Sequence, residues 1–514
     1  MNDPVVHAHA GRMARGSALL VSSGVVSFAG SFALAVVIAR TYGKLAFGLW
    51  AIAFSLGQLL SIVGQLGADW IVMRQGSYQH GIGDIPRLRA TIHVALALAG
   101  VGLALLGAGL FLAAGPVARS VFHDAGLEPL VRLTAVMAPV VGMRQVLVYA
   151  TQAFKEMRDA ALIRNVLQPS LRLLAVGALA MASASLVAAY AGLLLAEVLL
   201  LAVSLAVLWR RVPLTGDVAP VEPWSLIRFA LPAWGSRLAG QSRGQIMPVL
   251  LGSIAAVIAT AVYAAANRIA GALTSVVNSL NQVYTSIGSD LYLQGKRTEF
   301  AALYRSATRW TFTLGAPLLV LMLAFPHELL SVFGPGFIEG TTALRILALG
   351  MLFNFGTGPV TVTLIMTGRS AAALADYLVV IALEIGLAFV LIPRHGVVGA
   401  AIAKAAGTAS NNVVPLLQIW ARERILPFSR DVWKPGLAAS VAAAASLVVV
   451  ALVPVDAAGA AIVAAGVVAV AYVVTLWGLG LSEEDRRALR ALRVRGEGSA
   501  SGRDPDQAGF VPEG

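Results

Sequence analysis

The 514-residue sequence contains no cysteine and little charge. The absence of cysteine excludes disulfides, thiol nucleophiles and cysteine-based metal sites. Only 12% of the residues are charged, whereas an ordinary soluble domain contains about one quarter. Carboxylates are scarcer than cations, with 26 Asp and Glu against 38 Lys and Arg. A composition so poor in charge excludes an ordinary soluble domain.

The sequence also lacks the local motifs of several enzyme classes. No G-x-x-x-x-G-K-[ST] phosphate loop is present, so ATP hydrolysis by that route is excluded. Neither an H-E-x-x-H motif nor a Cys/His cluster indicates a metal. No gap between apolar runs is long enough for a soluble catalytic domain. We therefore predict a protein that is not an enzyme and that has no cofactor.

Apolar residues, by contrast, make up 58% of the sequence, and the mean hydropathy is +0.80. The apolar runs recur from Ala18 to Leu481, and bilayer hydrocarbon is crossed by about 20 such residues in a helix. Runs without strict alternation favour helices over a barrel. We predict an all-α polytopic membrane protein with about fourteen spans, at about 17–38, 45–66, 91–114, 131–152, 163–182, 186–209, 225–250, 254–286, 310–326, 342–366, 371–393, 397–420, 435–453 and 457–480.

The positions of Lys and Arg predict the orientation. Most of them lie in the two tails and in alternate gaps between the spans, and such gaps face the cytoplasm. Both termini are therefore predicted to be cytoplasmic, in a cell inner membrane. The first apolar stretch continues to Ile38 without a cleavage site, so it is interpreted as a retained span. The net charge of +12 is attributed to this bias and to membrane lipids with anionic headgroups, and no nucleic-acid partner is expected.

Polar residues within spans 7 and 8 form the candidate substrate site. Arg237, Gln241 and Gly244 share a helical face in span 7, and Arg243 lies in its outer half. Span 8 carries a polar stripe about five turns long that should not face lipid. It either lines an aqueous cavity or joins helices by hydrogen bonds. Amides suit sugar hydroxyls, and guanidinium groups suit phosphate. The candidate binding residues are Arg237, Gln241, Arg243, Asn267, Arg268, Asn278 and Asn281.

One further pair of charges lies within neighbouring spans. Glu384 of span 11 and Lys404 of span 12 can neutralise each other. The pair is either structural or part of the coupling of transport to protons or ions. The sequence is compatible with both interpretations.

Several segments resemble the polysaccharide flippases of the multidrug/oligosaccharidyl-lipid/polysaccharide exporter superfamily. The first two spans read VVIARTYGKLAFGLWAIAFSLGQLLSIVGQLGADWIVMRQ, and the loop after span 4 reads TQAFKEMRDAALIRNVLQPSLR. The strongest segment, before and through span 10, is VFGPGFIEGTTALRILALGMLFNFGTGPVTVTLIMTGRS. HGVVGAAIAKAAG is similar to the opening of span 12, although Lys404 stands where the family has a small or hydroxyl residue. The order of these segments and their register with the spans carry the resemblance.

The resemblance implies two pseudo-symmetric six-helix lobes around a cavity that alternately faces each side of the membrane. The implied divisions are a cytoplasmic tail at 1–16, a first lobe at 17–209, an inter-lobe cytoplasmic loop at 210–224, a second lobe at 225–420, two extra helices at 435–481 and a basic, largely disordered cytoplasmic tail at 482–514.

The implied function is transport of undecaprenyl-diphosphate-linked oligosaccharide from the inner to the outer leaflet for exopolysaccharide, capsule or O-antigen. The partners are then a lipid-linked oligosaccharide, membrane lipids and other membrane proteins of polysaccharide assembly. By position in their spans, Arg237, Arg243 and Arg268 match the basic cavity residues of the family. Three alternatives remain, namely a flippase of peptidoglycan precursor, an exporter of small molecules and, with less support, an integral-membrane glycosyltransferase or ligase.

Overall fold

The computed structural model describes residues 4–154, 157–183, 185–428, 431, 433–453 and 457–480. The predicted C-terminal tail at 482–514 lies outside these residues. The described part is helical and contains no strand. Its twelve long helices are α1 (Pro4–Gly64), α2 (Ile85–Leu112), α3 (Glu128–Gln152), α4 (Gln168–Ala182), α5 (Leu186–Arg211), α6 (Pro223–Ile254), α7 (Val257–Leu293), α8 (Arg297–Ala324), α9 (Thr341–Thr357), α10 (Ser370–Glu423), α11 (Trp433–Leu452) and α12 (Ala457–Gly478).

Short helical segments connect several of these helices. They include three π-helical stretches and two 3₁₀ turns among the described residues. The segments are Ala68–Ile71, Val72–Gly76, Ser77–Gly81, Ala114–Pro116, Val117–Val121, Ala125–Leu127, Met157–Ala161, Leu162–Leu167, Pro326–Ser331, Pro335–Gly340 and Val360–Met366.

Two of the long helices are divided by a glycine. The backbone leaves helical geometry at Gly43 (φ 82°) within α1 and at Gly396 (φ 52°) within α10. Glycine adopts a positive φ at no steric cost, whereas a residue with a Cβ is strained there. Both glycines lie at predicted span boundaries, so α1 and α10 each cross the membrane twice.

The number of crossings agrees with the prediction. Eleven helical segments of the described chain are long and apolar enough to cross a membrane by length and composition. Two of them, α1 and α10, contain the glycine breaks, which gives thirteen crossings. The fourteenth is α6, whose 32 residues are ample for a crossing. The predicted all-α membrane fold with about fourteen spans is therefore confirmed.

The helices before α6 (α1–α5) and those after it (α7–α10) form two groups, and the predicted outer ends of these groups are in close contact. Arg40 donates hydrogen bonds to the carbonyl oxygens of Val332 (2.8 Å) and Ser331 (3.0 Å). Lys44 Nζ lies 2.7 Å from the Glu339 carboxylate. Aromatic rings pack below these polar contacts, and their members are Phe32, Phe47, Phe333 and Phe337. The interior is therefore closed at this end.

The α6 helix contacts both groups of helices. Leu226 and Ala230, in its first half, belong to a buried apolar cluster with residues of α2, α3 and α5. The indole N–H of Trp234 donates to the carbonyl oxygen of Ile62 (3.1 Å). The second half of α6 contacts α10 through Arg243, which pairs with Glu384. This helix therefore runs beside the space between the two groups.

The last two helices pack outside the others. The small side chains of Ala438 and Ala442 in α11 form an apolar cluster with Ala316 of α8 and with Val468 and Tyr472 of α12. The Tyr472 hydroxyl donates to the carbonyl oxygen of Thr313 (2.8 Å). Small residues allow this close approach of helices within a membrane.

Candidate functional site

A large cavity lies between the two groups of helices. Its volume is about 1160 Å³, above the ~300–1,000 Å³ typical of pockets for drug-sized ligands. Residues of α1, α4, α6, α7, α9 and α10 line it. Its wall includes the aromatic rings of Phe28, Phe54 and Trp50 on the α1 side. Aromatic faces and polar groups thus surround one large space.

The described charged side chains that line the cavity are all cations. Among the described residues that line it there is no Asp or Glu. The five cations of the wall are Arg164, Arg172, Arg243, Arg268 and Lys404. A charge at the bilayer centre costs about 2.5–3.5 kcal/mol on insertion scales. An anionic ligand offsets this cost by pairing with the cations, so the wall favours such a ligand.

Three of these cations lie at a similar depth. Arg172, Arg243 and Arg268 are each ten or eleven residues from the predicted outer terminus of their helices. At 1.5 Å per residue this is about 15–17 Å. Cations from α4, α6 and α7 therefore form a belt near the middle of the membrane. We name Arg172, Arg243, Arg268 and Lys404 together the cation belt.

Arg172 is held by a buried carboxylate behind the wall. Its guanidinium lies 2.6 Å from the side chain of Glu197, which is fully buried in α5. Arg144 of α3 contacts the other oxygen of the same carboxylate at 2.9 Å. The Arg172 guanidinium also lies 5.6 Å from the centre of the Phe54 ring. Two arginines share one carboxylate, so this group keeps a net positive charge beside the cavity.

A second carboxylate holds two cations on the opposite side. Glu384 is 1% exposed, and Arg243 lies 2.6 Å from one of its oxygens. Lys404 Nζ lies 3.5 Å from the other oxygen. The structure therefore brings the predicted pair of Glu384 and Lys404 together, and Arg243 is a second cation in contact with the same carboxylate. Arg243 and Lys404 line the cavity, whereas Glu384 lies behind them.

Arg268 differs from the other members of the cation belt. It lines the cavity and is partly exposed. Within the described residues it forms no ion pair. Its positive charge is therefore available to a ligand.

The structure places Arg237 away from the cavity wall. Its guanidinium forms an ion pair with Asp69, which is 3% exposed. The same guanidinium lies 4.9 Å from the centre of the Tyr149 ring. It also donates to the side-chain oxygens of Gln65 (3.5 Å) and Gln145 (3.4 Å). Helical side chains tilt toward the N-terminus of their helix. Arg237 therefore reaches back to the first group of helices, although Gln241, one turn later, lines the cavity.

The polar stripe of α7 faces the cavity along much of its length. Asn267, Asn278 and Asn281 line it, together with Thr274 and Gln282. Of the candidate binding residues, the cavity wall thus contains Gln241, Arg243, Asn267, Arg268, Asn278 and Asn281. Asn281 has a buried side-chain oxygen without a hydrogen-bond partner among the described residues. Its amide is available to a polar ligand.

Sequence reasoning missed several residues of the wall. Arg172 is recognisable from the sequence as a cation within a span, but the sequence does not show which way its side chain points. Arg164 lies at the predicted cytoplasmic edge of the span at 163–182, and in the structure its guanidinium lies 5.0 Å from the Tyr149 ring centre. Asn354 and Asn411 also line the cavity. Single amides in apolar spans give no periodic signal, so only their positions in space identify them.

No group of three or more potential metal ligands occurs among the described histidines and carboxylates. The buried carboxylates beside the cavity are paired with cations instead. The chemistry that this wall supports is recognition of an anion together with hydroxyl-rich groups, because it combines guanidinium groups with amides.

Comparison with known families gives two matches. The sequence model of a family described as "Polysaccharide biosynthesis protein" matches residues 13–285, more than half of the chain. A second family model, described as MatE, matches residues 232–390. No curated protein sequence matches the chain.

Solved structures share the fold. A structure described as lipid II flippase MurJ in an inward closed conformation matches with a TM-score of 0.69 at 13% identity, covering 89% of this chain and 97% of that one. An inward-facing multidrug resistance MATE family transporter of the MOP superfamily matches with a TM-score of 0.62 at 17% identity, covering 80% and 98%. A MOP superfamily transporter from Pyrococcus furiosus gives a TM-score of 0.56 at 18% identity, covering 80% and 94%. The chain therefore has the fold of the MOP superfamily transporters.

Proposed function

Because the chain belongs to the polysaccharide biosynthesis protein family, which confirms the resemblance identified from the sequence, we propose that it is a flippase of lipid-linked oligosaccharide. The proposed substrate is an undecaprenyl-diphosphate-linked oligosaccharide, moved from the inner to the outer leaflet by alternating access. The proposed location is the cell inner membrane, with both termini in the cytoplasm. The products would serve exopolysaccharide, capsule or O-antigen assembly.

The observation that carries this proposal is the composition of the cavity wall. The cation belt suits a diphosphate, because guanidinium groups donate paired hydrogen bonds to phosphate oxygens. Asn267, Asn278 and Asn281 lie on the same wall, and their amides both donate to and accept from sugar hydroxyls. A diphosphate with attached sugars cannot cross hydrocarbon alone. A wet cationic cavity lowers that barrier while the lipid tail stays in the membrane.

The test is a leaflet-resolved analysis of lipid-diphosphate oligosaccharide in cells that lack this protein. We expect the precursor to accumulate on the inner face and to return to the outer face when the wild type is expressed. Arg268→Ala should lower transport at least about tenfold, since a hydrogen bond to a charged group contributes about 1.5–3 kcal/mol. Arg394→Ala is the matched control, because Arg394 is exposed and does not line the cavity.

Other outcomes distinguish the alternatives. If the precursor reaches the outer face and accumulates there, the protein acts after flipping, as a glycosyltransferase or ligase would. If peptidoglycan precursor is trapped instead, the protein is a flippase of that lipid. Unchanged levels of both lipids would favour export of small molecules. Normal transport by well-expressed Arg268→Ala would contradict the assignment of the cation belt to the substrate.

A further inference from the structure

The contacts around Glu384 join three membrane crossings at one point. Arg243 of α6 donates to one carboxylate oxygen through Nη2 (2.6 Å) and Nε (3.2 Å). Lys404, in the second half of α10, lies 3.5 Å from the other oxygen. Lys404 Nζ also donates to the backbone carbonyl oxygen of Arg243 (2.9 Å). The ammonium group is therefore held by one carboxylate oxygen and one backbone carbonyl from two different helices.

Gly407 leaves room for the Glu384 side chain between the two halves of α10. A Cβ on Gly407 would overlap the side-chain atoms of Glu384. The glycine lets the carboxylate lie between the two halves, where it is 1% exposed. A buried carboxylate is stable only when its charge is paired and its oxygens are bonded. Arg243 bonds only one oxygen of this carboxylate, so the Lys404 ammonium is the cation at the other oxygen.

The residue after Arg243 has a backbone carbonyl oxygen that no helical N–H satisfies. Pro248 lies inside α6 and has no N–H, so the carbonyl oxygen of Gly244 lacks its helical donor. Gly244 lines the cavity beside Arg243. Carbonyl oxygens at interrupted helices, together with carboxylates, are the groups with which secondary transporters hold monovalent cations. Here the ammonium of Lys404 lies among groups of this kind.

We propose that Lys404 is a tethered cation, filling from within the chain a site where a free monovalent cation would otherwise bind. The site consists of the Glu384 carboxylate, the Arg243 carbonyl oxygen and the neighbouring Gly244 carbonyl oxygen. Wild-type protein then takes up no Na⁺ at this point. Removal of the lysine side chain back to Cβ leaves an oxygen-lined space open to the cavity, and Na⁺ or methylammonium enters it.

The first experiment measures binding without any transport substrate. Purified wild type, Lys404→Ala and Lys404→Met are unfolded by heat in NaCl and in choline chloride at equal ionic strength. Lys404→Ala should show a rise in Tm of about 2–4 °C in NaCl, because a cation that binds only the folded state stabilises it. Wild type should show no difference. Lys404→Met should also show none, because its side chain fills the space without a charge. Lys296→Ala, at an exposed position, is the matched control.

The second experiment measures transport, and this arm alone depends on the proposed function. In choline medium, the flipping rate of Lys404→Ala should be at least about tenfold below that of the wild type. NaCl or methylammonium chloride should restore the rate. Lys404→Met should regain nothing. Absence of flipping by the wild type would contradict the proposed function and leave the thermal result as the test of the tethered cation. Equal stabilisation of wild type and Lys404→Ala by Na⁺, or of neither of them, would overturn the proposal.

Discussion

Arg237 illustrates how the environment of a residue decides its role. The guanidinium and the Asp69 carboxylate are 10% and 3% exposed and form an ion pair away from the cavity wall. Asp69 keeps one buried oxygen without a partner among the described residues. A buried ion pair that loses one partner costs about 3–5 kcal/mol, because the remaining charge is uncompensated. The sequence predicted Arg237 to bind substrate, and the contacts favour a structural role.

We therefore expect Arg237→Ala to lower stability more than it affects the substrate site. The predicted loss is about 3–5 kcal/mol, and the double variant Arg237→Ala/Asp69→Ala should recover part of it because no lone charge remains. Thermal unfolding of the purified variants measures both. Arg268→Ala is the contrasting variant, with normal Tm and reduced transport. A stable Arg237→Ala protein with lost transport would restore Arg237 to the substrate site.

Among the helices, the break in α10 depends on one glycine. Gly396 has φ 52° and ψ −122°, a conformation that a residue with a Cβ adopts only with strain. The two halves of α10 must fold back beside each other there to place Glu384 and Lys404 in contact.

Gly396→Ala should destabilise the protein by about 1–3 kcal/mol. Gly386→Ala in the same helix is the control, because a Cβ there meets no other atom within 4 Å and the position is helical. This control should be neutral or stabilising by up to about 1 kcal/mol. Denaturation of both variants in detergent measures the difference. Equal stability of the two variants would show that the break does not require glycine.

The contact between the predicted outer ends of the helices closes the interior on that side. Arg40 and Lys44 of α1 bind the segment that precedes α9, and aromatic rings pack beneath them. The Glu339 side chain is 71% exposed, so the ion pair with Lys44 contributes at most about 1 kcal/mol to stability. In the proposed alternating access these ends separate before the cavity opens outward, so the position of this contact matters more than its strength.

Cross-linking tests whether this separation is required. The sequence has no cysteine, so Lys44→Cys/Glu339→Cys introduces the only two thiols. A short, reducible bifunctional reagent should join them and stop transport, and a reductant should restore it. The single variants, treated in the same way, should transport normally. Undiminished transport by the fully cross-linked protein would exclude alternating access through this end.

At the scale of the whole molecule, an even number of crossings predicts that both termini lie on the same side of the membrane. The basic gaps predict that this side is the cytoplasm. Ser120 lies in a predicted outer gap, and Gln294 lies in a predicted inner gap, and both are exposed.

Labelling of single thiols measures this orientation. Ser120→Cys should react with a membrane-impermeant maleimide on intact cells, whereas Gln294→Cys should react only after permeabilisation. The cysteine-free parent provides a blank. The reverse pattern would invert the predicted topology, and labelling of both on intact cells would contradict the number of crossings between them.

The sequence by itself determined the membrane class, the fourteen crossings and the presence of a polar stripe along α7. These properties depend on local quantities, namely the length of an apolar run and the spacing of polar residues along one helix. The bilayer imposes the same thickness on every crossing, so no distant residue is needed to read them.

Only the tertiary structure decided which cations face the cavity. Arg237 and Arg172 both lie within spans, yet the first meets Asp69 away from the wall and the second meets Glu197 beside it. The pairing of a charge depends on how its helix is rotated and on which carboxylate a distant segment brings near. Helical periodicity contains neither quantity, because it describes a face of one helix and not what that face meets.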